Sequence, residues 1–159
     1  PMSLPEGYSI RRATTADLET LVIHRREMFR DIGYKDEVAF HDMTARCYDW
    51  LRKYMDAGEY LAWLVIAPDG SVAAGAGLWL MDWMPHIIGR GPRRGNILNV
   101  YTANEHRRRG LARELMQVIL DWCRGNGVDT IILHASSEGR SLYESLGFQA
   151  TNEMRLRLE

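Results

Sequence analysis

Two absences narrow the reading of this sequence before any motif is considered: it has no long apolar run and no surplus of charge of one sign. No stretch approaches the ~20 consecutive apolar residues that a membrane span needs, and the opening residues lack a secretory-signal pattern. Lys and Arg number 20 against 21 Asp and Glu, a formal net charge of −1. A dedicated nucleic-acid binder ordinarily carries a basic excess over the whole domain, so nucleic acid is not an expected partner. Cysteine is nearly absent, with only Cys47 and Cys123, each on the apolar stripe of a predicted helix. They read as two reduced core thiols in a cytoplasmic protein, and no clustered His/Cys spacing suggests a metal. Internal repeats, linkers and low-complexity segments are also missing.

What is present is a globular balance, 46% hydrophobic and 26% charged over 159 residues, enough for one domain with a real core. A first strand is predicted over Tyr8–Thr14. Thr14 and Asp17 then form a Thr-x-x-Asp helix start, followed by a stripe of Leu18, Leu21, Val22, Arg25, Met28 and Phe29 that stops at Gly33. A second helix spans about Asp36–Met55, with Phe40, Met43, Cys47, Trp50, Leu51 and Tyr54 on one face. Two β-rich runs flank the hairpin chemistry of Pro68-Asp69-Gly70. A Gly/Pro/Arg-rich loop is expected over Pro85–Gly95, then a strand over Asn96–Thr102 and an amphipathic helix over about Arg109–Arg124. Gly125-Asn126-Gly127 ends that helix. A buried strand in "TIILHA", a short helix over Glu138–Leu146 and an alternating closing strand "MRLRL" complete the chain. The order β-α-α-β-β-β-α-β-α-β implies an α/β sandwich with a mixed sheet. The strand–helix–strand unit in Asn96–Ala135 implies an adjacent parallel pair.

The stretch "HRRRGLAREL", His106–Leu115, lies where that crossover turns from strand into helix. Amides in a helix's first turn lack intrahelical partners and sit at the positive end of the dipole, so this place attracts anions. Gly110 leaves room for close approach, Ala112 is small, and Arg107, Arg108, Arg109 and Arg113 add charge, a combination suited to a pyrophosphate. The Walker lysine and the Gly-x-Gly-x-x-Gly fingerprint are both missing. The competing reading is a solvated helix start whose glycine only relieves the turn.

"NVYTANEHRRRGLARELM" resembles the signature of the GNAT superfamily of N-acetyltransferases, an Arg/Gln-x-x-Gly-x-Gly/Ala loop after a strand, carried here by Arg107, Gly110 and Ala112. A second run, "LYESLGF" from Leu142 to Phe148, is similar to that superfamily's Leu-Tyr-Glu-x-x-Gly-Phe. The resemblance covers nearly the whole chain and implies a GNAT-like three-layer sandwich. In it a mixed central sheet, flanked by helices, carries splayed parallel strands in its middle. A single acetyl-CoA-binding domain over residues 3–159 follows. By matching positions, the turn Arg107, Arg108, Arg109, Gly110, Leu111, Ala112 and Arg113 would hold the pyrophosphate of acetyl-CoA. Val100, Tyr101 and Thr102 would pair with its pantetheine arm, and Ser136 stands where many members have a CoA-contacting asparagine. Tyr143 matches the tyrosine that protonates the departing thiolate.

The implied reaction is direct acetyl transfer to a primary amine, on a small molecule or a peptide, through a tetrahedral intermediate and without a metal. Histone-modifying members carry a glutamate base where this chain has Asn96, so the base stays open among His134, Asp82, Glu27 and a water relay. Glu27, Asp31, Asp36, Glu37 and Asp42 are candidates to attract a cationic amine, or are simply solvated. A homodimer paired through the last strands is an expectation. The alternative to an enzyme is a non-catalytic acyl-CoA-binding sensor or regulatory module.

Overall fold

The first helix is set by a capping box. Asp17 Oδ2 accepts from the Thr14 amide at 2.8 Å, while the Thr14 hydroxyl accepts from Ala16 N. Arg11 grips the same carboxylate with two bonds of 2.9 and 2.8 Å and holds it below the usual carboxylate range. In the computed structural model, which describes residues 3–158, this start leads from β1 (Ser9–Arg12) into α1 (Leu18–Ile32). Gly33, with a left-handed φ of 119°, ends α1, and α2 (Glu37–Asp56) follows with Asp36 accepting from Ala39 N.

Strands β2 (Tyr60–Ile66), β3 (Val72–Asp82), β4 (Arg93–Thr102) and β5 (Ile131–Leu133) complete a five-stranded sheet with β1. Its order is β1-β2-β3-β4-β5, antiparallel as far as β4, with β5 parallel to β4. The crossover between β4 and β5 is α3 (Leu111–Gly125), and α4 (Arg140–Ser145) follows β5.

Strand β2 is buried on both faces, which explains its unbroken apolar run. Leu61, Trp63 and Val65 join Leu111, Leu115, Met116 and Ile119 of α3 in one core. Tyr60, Ala62 and Leu64 join Leu18, Leu21 and Val22 of α1 and Cys47 and Leu51 of α2 in the other. Helices on both faces make the α/β sandwich with a mixed sheet that the element order implies, and the three layers that the resemblance implies. Both cysteines are free and buried; burial raises both thiols, Cys123 to about 11.

Several boundaries differ from expectation. The loop expected over Pro85–Gly95 gives way to strand at Arg93, because Arg93, Arg94 and Gly95 pair with Asp82, Met81 and Leu80 of β3. The closing run Met154–Leu158 forms no strand, and its three apolar side chains are exposed. The parallel pair therefore lies at one end of the five strands. Alternation satisfies a strand's local pattern, but a strand exists only through a partner. Near the start of this segment, Glu153 instead bonds His134, just beyond β5, at 2.9 Å.

One close approach decides the packing between β2 and β3. A Cβ on Gly77 would coincide with the Tyr60 hydroxyl, which accepts a bond from Asn99 Nδ2 at 3.1 Å. Gly77→Ala should therefore lower stability by about 2 kcal/mol through overpacking, as read from chemical denaturation.

Candidate active site

Strand β4 contains the irregularity around which the site is built. Gly77 of β3 pairs with Leu98 and Gly75 with Tyr101, so Asn99 and Val100 together stand opposite Ala76. This is a β-bulge, with Asn99 in the left-handed region at φ 58°. Asparagine tolerates that conformation better than most residues, and here its side chain is held at both ends. Its Oδ1 accepts from Arg25 Nη1 at 2.6 Å and its Nδ2 donates to Tyr60.

Pairing between β4 and β5 is confined to Gly95–Ile97 and Ile131–Leu133. Beyond it, Tyr101 and Thr102 still pair with Gly75 and Ala74 of β3, but among the described residues no strand lies along their other side. Val100, Tyr101 and Thr102 thus form a strand end with one edge free of a strand partner, where the Thr102 carbonyl is taken by Arg107 Nε and the remaining backbone groups are able to exchange hydrogen bonds with an amide-containing ligand.

That edge leads directly into the arginine turn. A single turn of 3-10 helix (Asn104–His106) is followed by extended Arg107, then Arg108 at φ 61° and Gly110 at φ 77°. Gly110 is the N-cap of α3 and no side chain caps the helix; the ladder starts with Glu114 N donating to Gly110 O at 3.2 Å. The amides of Leu111, Ala112 and Arg113 therefore face outward at the positive end of a 15-residue helix. A non-glycine residue in left-handed conformation is uncommon, and such residues concentrate at functional sites. In the described residues the two instances, Asn99 and Arg108, flank this strand end and turn.

The arginines divide their work. Arg107 donates to Thr102 O at 2.8 Å and to Asp31 at 2.6 Å, so its side chain ties the turn to β4 and α1. Arg113 donates to Ser145 Oγ at 2.8 Å, fastening α4 beside the start of α3. Arg109 reaches Glu105 O at 3.5 Å.

On α4, Tyr143 is 8% exposed, edge-on to Phe148 at 6.0 Å. A Cβ on Gly139 would fall 2.9 Å from its ring, so glycine is what lets the phenol lie flat there. Burial raises the phenol's pKa, which keeps its proton in place at neutral pH. Ser136 Oγ accepts from Gly139 N at 3.2 Å and starts the turn into α4. The Arg113–Ser145 bond thus brings α4 to the start of α3, and Tyr143 shares one core with Leu111 of the turn and Val100 of β4.

The candidate bases fare differently. Asp82 pairs with Arg93 at the far end of β3, seven residues from Gly75 and so roughly 23 Å from the Tyr101 level. His134 is exposed and bonded to Glu153. Glu27 pairs with Arg26 at 2.9 Å and Arg30 at 3.6 Å. The acids expected to draw in a cation are likewise engaged. Asp31 pairs with Arg107, Glu37 with Arg30 and Asp42 with Arg46, while Asp36 caps α2.

Asn96 lies one rung below the last β4–β5 pair, 8% exposed, its Oδ1 without a partner among the described residues. A surface depression of about 680 Å³ near Arg90, Cys123, Arg124 and Asp129 sits at the opposite end of α3. That helix is about 22 Å long, so the depression is remote from the turn.

The family model of the acetyltransferase (GNAT) family matches residues 20–148, taking in the bulge, the turn and Tyr143. The chain belongs to that family. A GCN5-related N-acetyltransferase from Ralstonia eutropha JMP134 is 33% identical and superposes with a TM-score of 0.89 over 96% of this chain and 99% of its own. A predicted acetyltransferase from Clostridium acetobutylicum, solved with acetyl-CoA, shares the fold at a TM-score of 0.86 and 24% identity, with 96% of each chain covered. Among curated sequences, mouse probable N-acetyltransferase family 8 member 5 is 28% identical over 125 residues, 72% of this chain and 51% of that protein. The uncharacterized N-acetyltransferase YobR of Bacillus subtilis is 29% identical over 68 residues, 41% of this chain and 28% of that one. The chain thus spans between about a quarter and a half of the curated relatives' length.

Two residues of this GNAT chain hold places at the site that their sequence positions did not predict. His24 on α1 is buried against β4, its ring 5.1 Å from that of Tyr101 and its Nδ1 3.0 Å from where a Gly75 Cβ would be. Arg25, beside it, holds the bulge. The available signal was an arginine on an otherwise apolar stripe.

Burial depresses His24 to about 4 from an ordinary 6.5. Below about pH 6.5 the unfolded chain takes up the proton first, so folding stability should fall as the pH drops towards 4 and change no further through this group below that. A difference of that size amounts to about 3 kcal/mol. His24→Gln should flatten this part of the stability–pH curve, as measured by thermal unfolding between pH 4 and 7.5.

Proposed function

We propose that this chain is an N-acetyltransferase that moves the acetyl group of acetyl-CoA directly to a primary amine, on a small molecule or a peptide. The observation that carries the reading is the free edge of β4 running into the uncapped, left-handed turn at Gly110. An elongated ligand with amides at one end and a pyrophosphate at the other fits that sequence of donors and acceptors. The acetyl-CoA solved with the Clostridium acetobutylicum protein supports the same ligand, because the two folds agree closely.

Bound acetyl-CoA supplies an activated thioester. In this reading the amides of Leu111, Ala112 and Arg113 hold the pyrophosphate. Arg108 and Arg109 add charge on the same turn, and Arg107 acts by fixing the turn's shape. The backbone of Val100, Tyr101 and Thr102 aligns the pantetheine arm, and a backbone amide at the bulge polarises the thioester carbonyl. Tyr143 gives its proton to the leaving sulfur, and Ser136, already accepting from Gly139, keeps a hydroxyl proton to donate to the cofactor. Neither cysteine is an acyl carrier, since both lie in the cores. Asn96, neutral where a carboxylate base would serve, fits deprotonation of the amine through water.

Gly110→Glu should abolish acetyl-CoA binding in calorimetry while the fold persists; unchanged affinity would overturn the cradle. Tyr143→Phe should lower kcat by about 100-fold with little change in acetyl-CoA affinity, measured by thiol release over a panel of amines. Tight acetyl-CoA binding with no thiol release from any amine would instead favour a non-catalytic acyl-CoA sensor.

A further inference from the structure

The charges near the bulge do not cancel. On and around α1, Glu27 is matched by Arg26 and Arg30, Glu37 by Arg30, and Asp31 by Arg107. Arg25 is left over. Its Nη1 donates to the neutral amide oxygen of Asn99, and its guanidinium lies 4.9 Å from the centre of the Phe29 ring. Among the described residues no carboxylate pairs with it.

The side chain is half-buried between α1, α2 and β4, close enough for its charge to favour the ionised forms of Tyr60 and Cys47. A guanidinium has five N–H donors in a planar fork. Using Nη1 for Asn99 leaves the Nε–Nη2 edge, whose two parallel donors match the two oxygens of a carboxylate. A half-buried guanidinium bonded to a neutral amide and lying over an aromatic ring keeps a positive charge that an anion would pair.

Position gives this surplus charge a meaning. Asn99 is the bulge residue, and its contacts with Arg25 and Tyr60 lie on the α1/α2 side of the sheet; Val100 packs into the core on the α3 side. On the reading that the acyl donor lies along Val100–Thr102 and the start of α3, the acceptor approaches from the α1/α2 side and meets Arg25 beside the reacting end. The flanking imidazole of His24, neutral at pH 7, brings no competing charge, and the neighbouring acids already have partners.

We propose that Arg25 binds the carboxylate of the acceptor, so that the acceptor is a primary amine carrying a carboxylate close to its nitrogen, as a free α-amino acid does. The inference rests on the proposed acetyl transfer for its orientation, but it is tested by binding.

The N-acetyl derivatives of the twenty standard amino acids, each beside its C-terminal amide, are titrated by ligand-observed NMR into the protein saturated with CoA. At least one acid should bind ten-fold or more tightly than its amide. Arg25→Gln should bring the two within two-fold, and Arg25→Lys should retain part of the preference. Equal or tighter binding of the amides, binding of none of the acids at millimolar concentration, or an acid preference untouched in a folded Arg25→Gln protein would each overturn the proposal. The wild-type comparison of acid with amide requires no variant, so a loss of folding at Arg25 does not remove the test.

A parallel thiol-release assay compares the amino acids with their decarboxylated amines and separates the two readings. Acids that bind through Arg25, with no thiol released from them, from the decarboxylated amines or from the wider amine panel, would leave this site standing and remove the transferase. Decarboxylated amines consumed as fast as the acids would do the reverse.

Discussion

Everything at this site depends on β4 leaving β5 after Ile97. Two parallel strands that stayed paired would use their backbone groups on one another and leave nothing for a ligand. The bulge at Asn99 ends that regularity, and Arg25 and Tyr60 hold it in place from two other elements. Because Asn99 occupies a left-handed conformation, the local backbone alone does not favour the bend. Tertiary hydrogen bonds stabilise it, which is why the residue is buried and its amide is bonded at both ends.

The arginine turn extends the same geometry into a second kind of recognition. The strand edge offers alternating donors and acceptors, and the helix start offers donors only. Joined through Arg107, they form a graded surface, neutral at the β4 end and positive at the α3 end. The side chain of Arg107 lies across Thr102 and Asp31, so part of the cluster's charge serves the architecture. Arg113 does similar work between α3 and α4. A count of arginines overstates the positive field at the turn, while the backbone amides supply a contribution that composition does not show.

Electrostatics on the α1 side shows the opposite bias. The sequence there looks acidic enough to draw in a cation, yet each acid has a partner: arginine for Glu27, Asp31, Glu37 and Asp42, and a helix amide for Asp36. Exposed pairs of this kind contribute little to stability, and beside the bulge they leave Arg25 with no carboxylate partner among the described residues. Which charges cancel depended on how α1 packs against α2 and β4, and spacing along one helix could not reveal it.

Much of the fold was legible because it is written in local patterns. The Thr14–Asp17 box, the stripes of α1 to α3, the Pro68-Asp69-Gly70 hairpin and the parallel crossover around α3 all follow from short-range periodicity and capping, which act before any long-range contact forms. The place of the Gly110 turn between a strand and a helix followed from the same order. Three things required the tertiary structure. One was the pairing of Arg93–Gly95 with β3, hidden behind glycine and proline. Another was the failure of Met154–Leu158 to find a strand partner despite its alternation. The third was the bulge with its bracing from Arg25, Asn99 and Tyr60. In each, the deciding hydrogen bonds or packing partners lie far apart along the chain, so no window of neighbouring residues contains both halves of the interaction. The sequence by itself determined which segments could be helix or strand and where an anion could be held; the packing of the sheet decided where a strand edge stays open and which charge remains unpaired beside it.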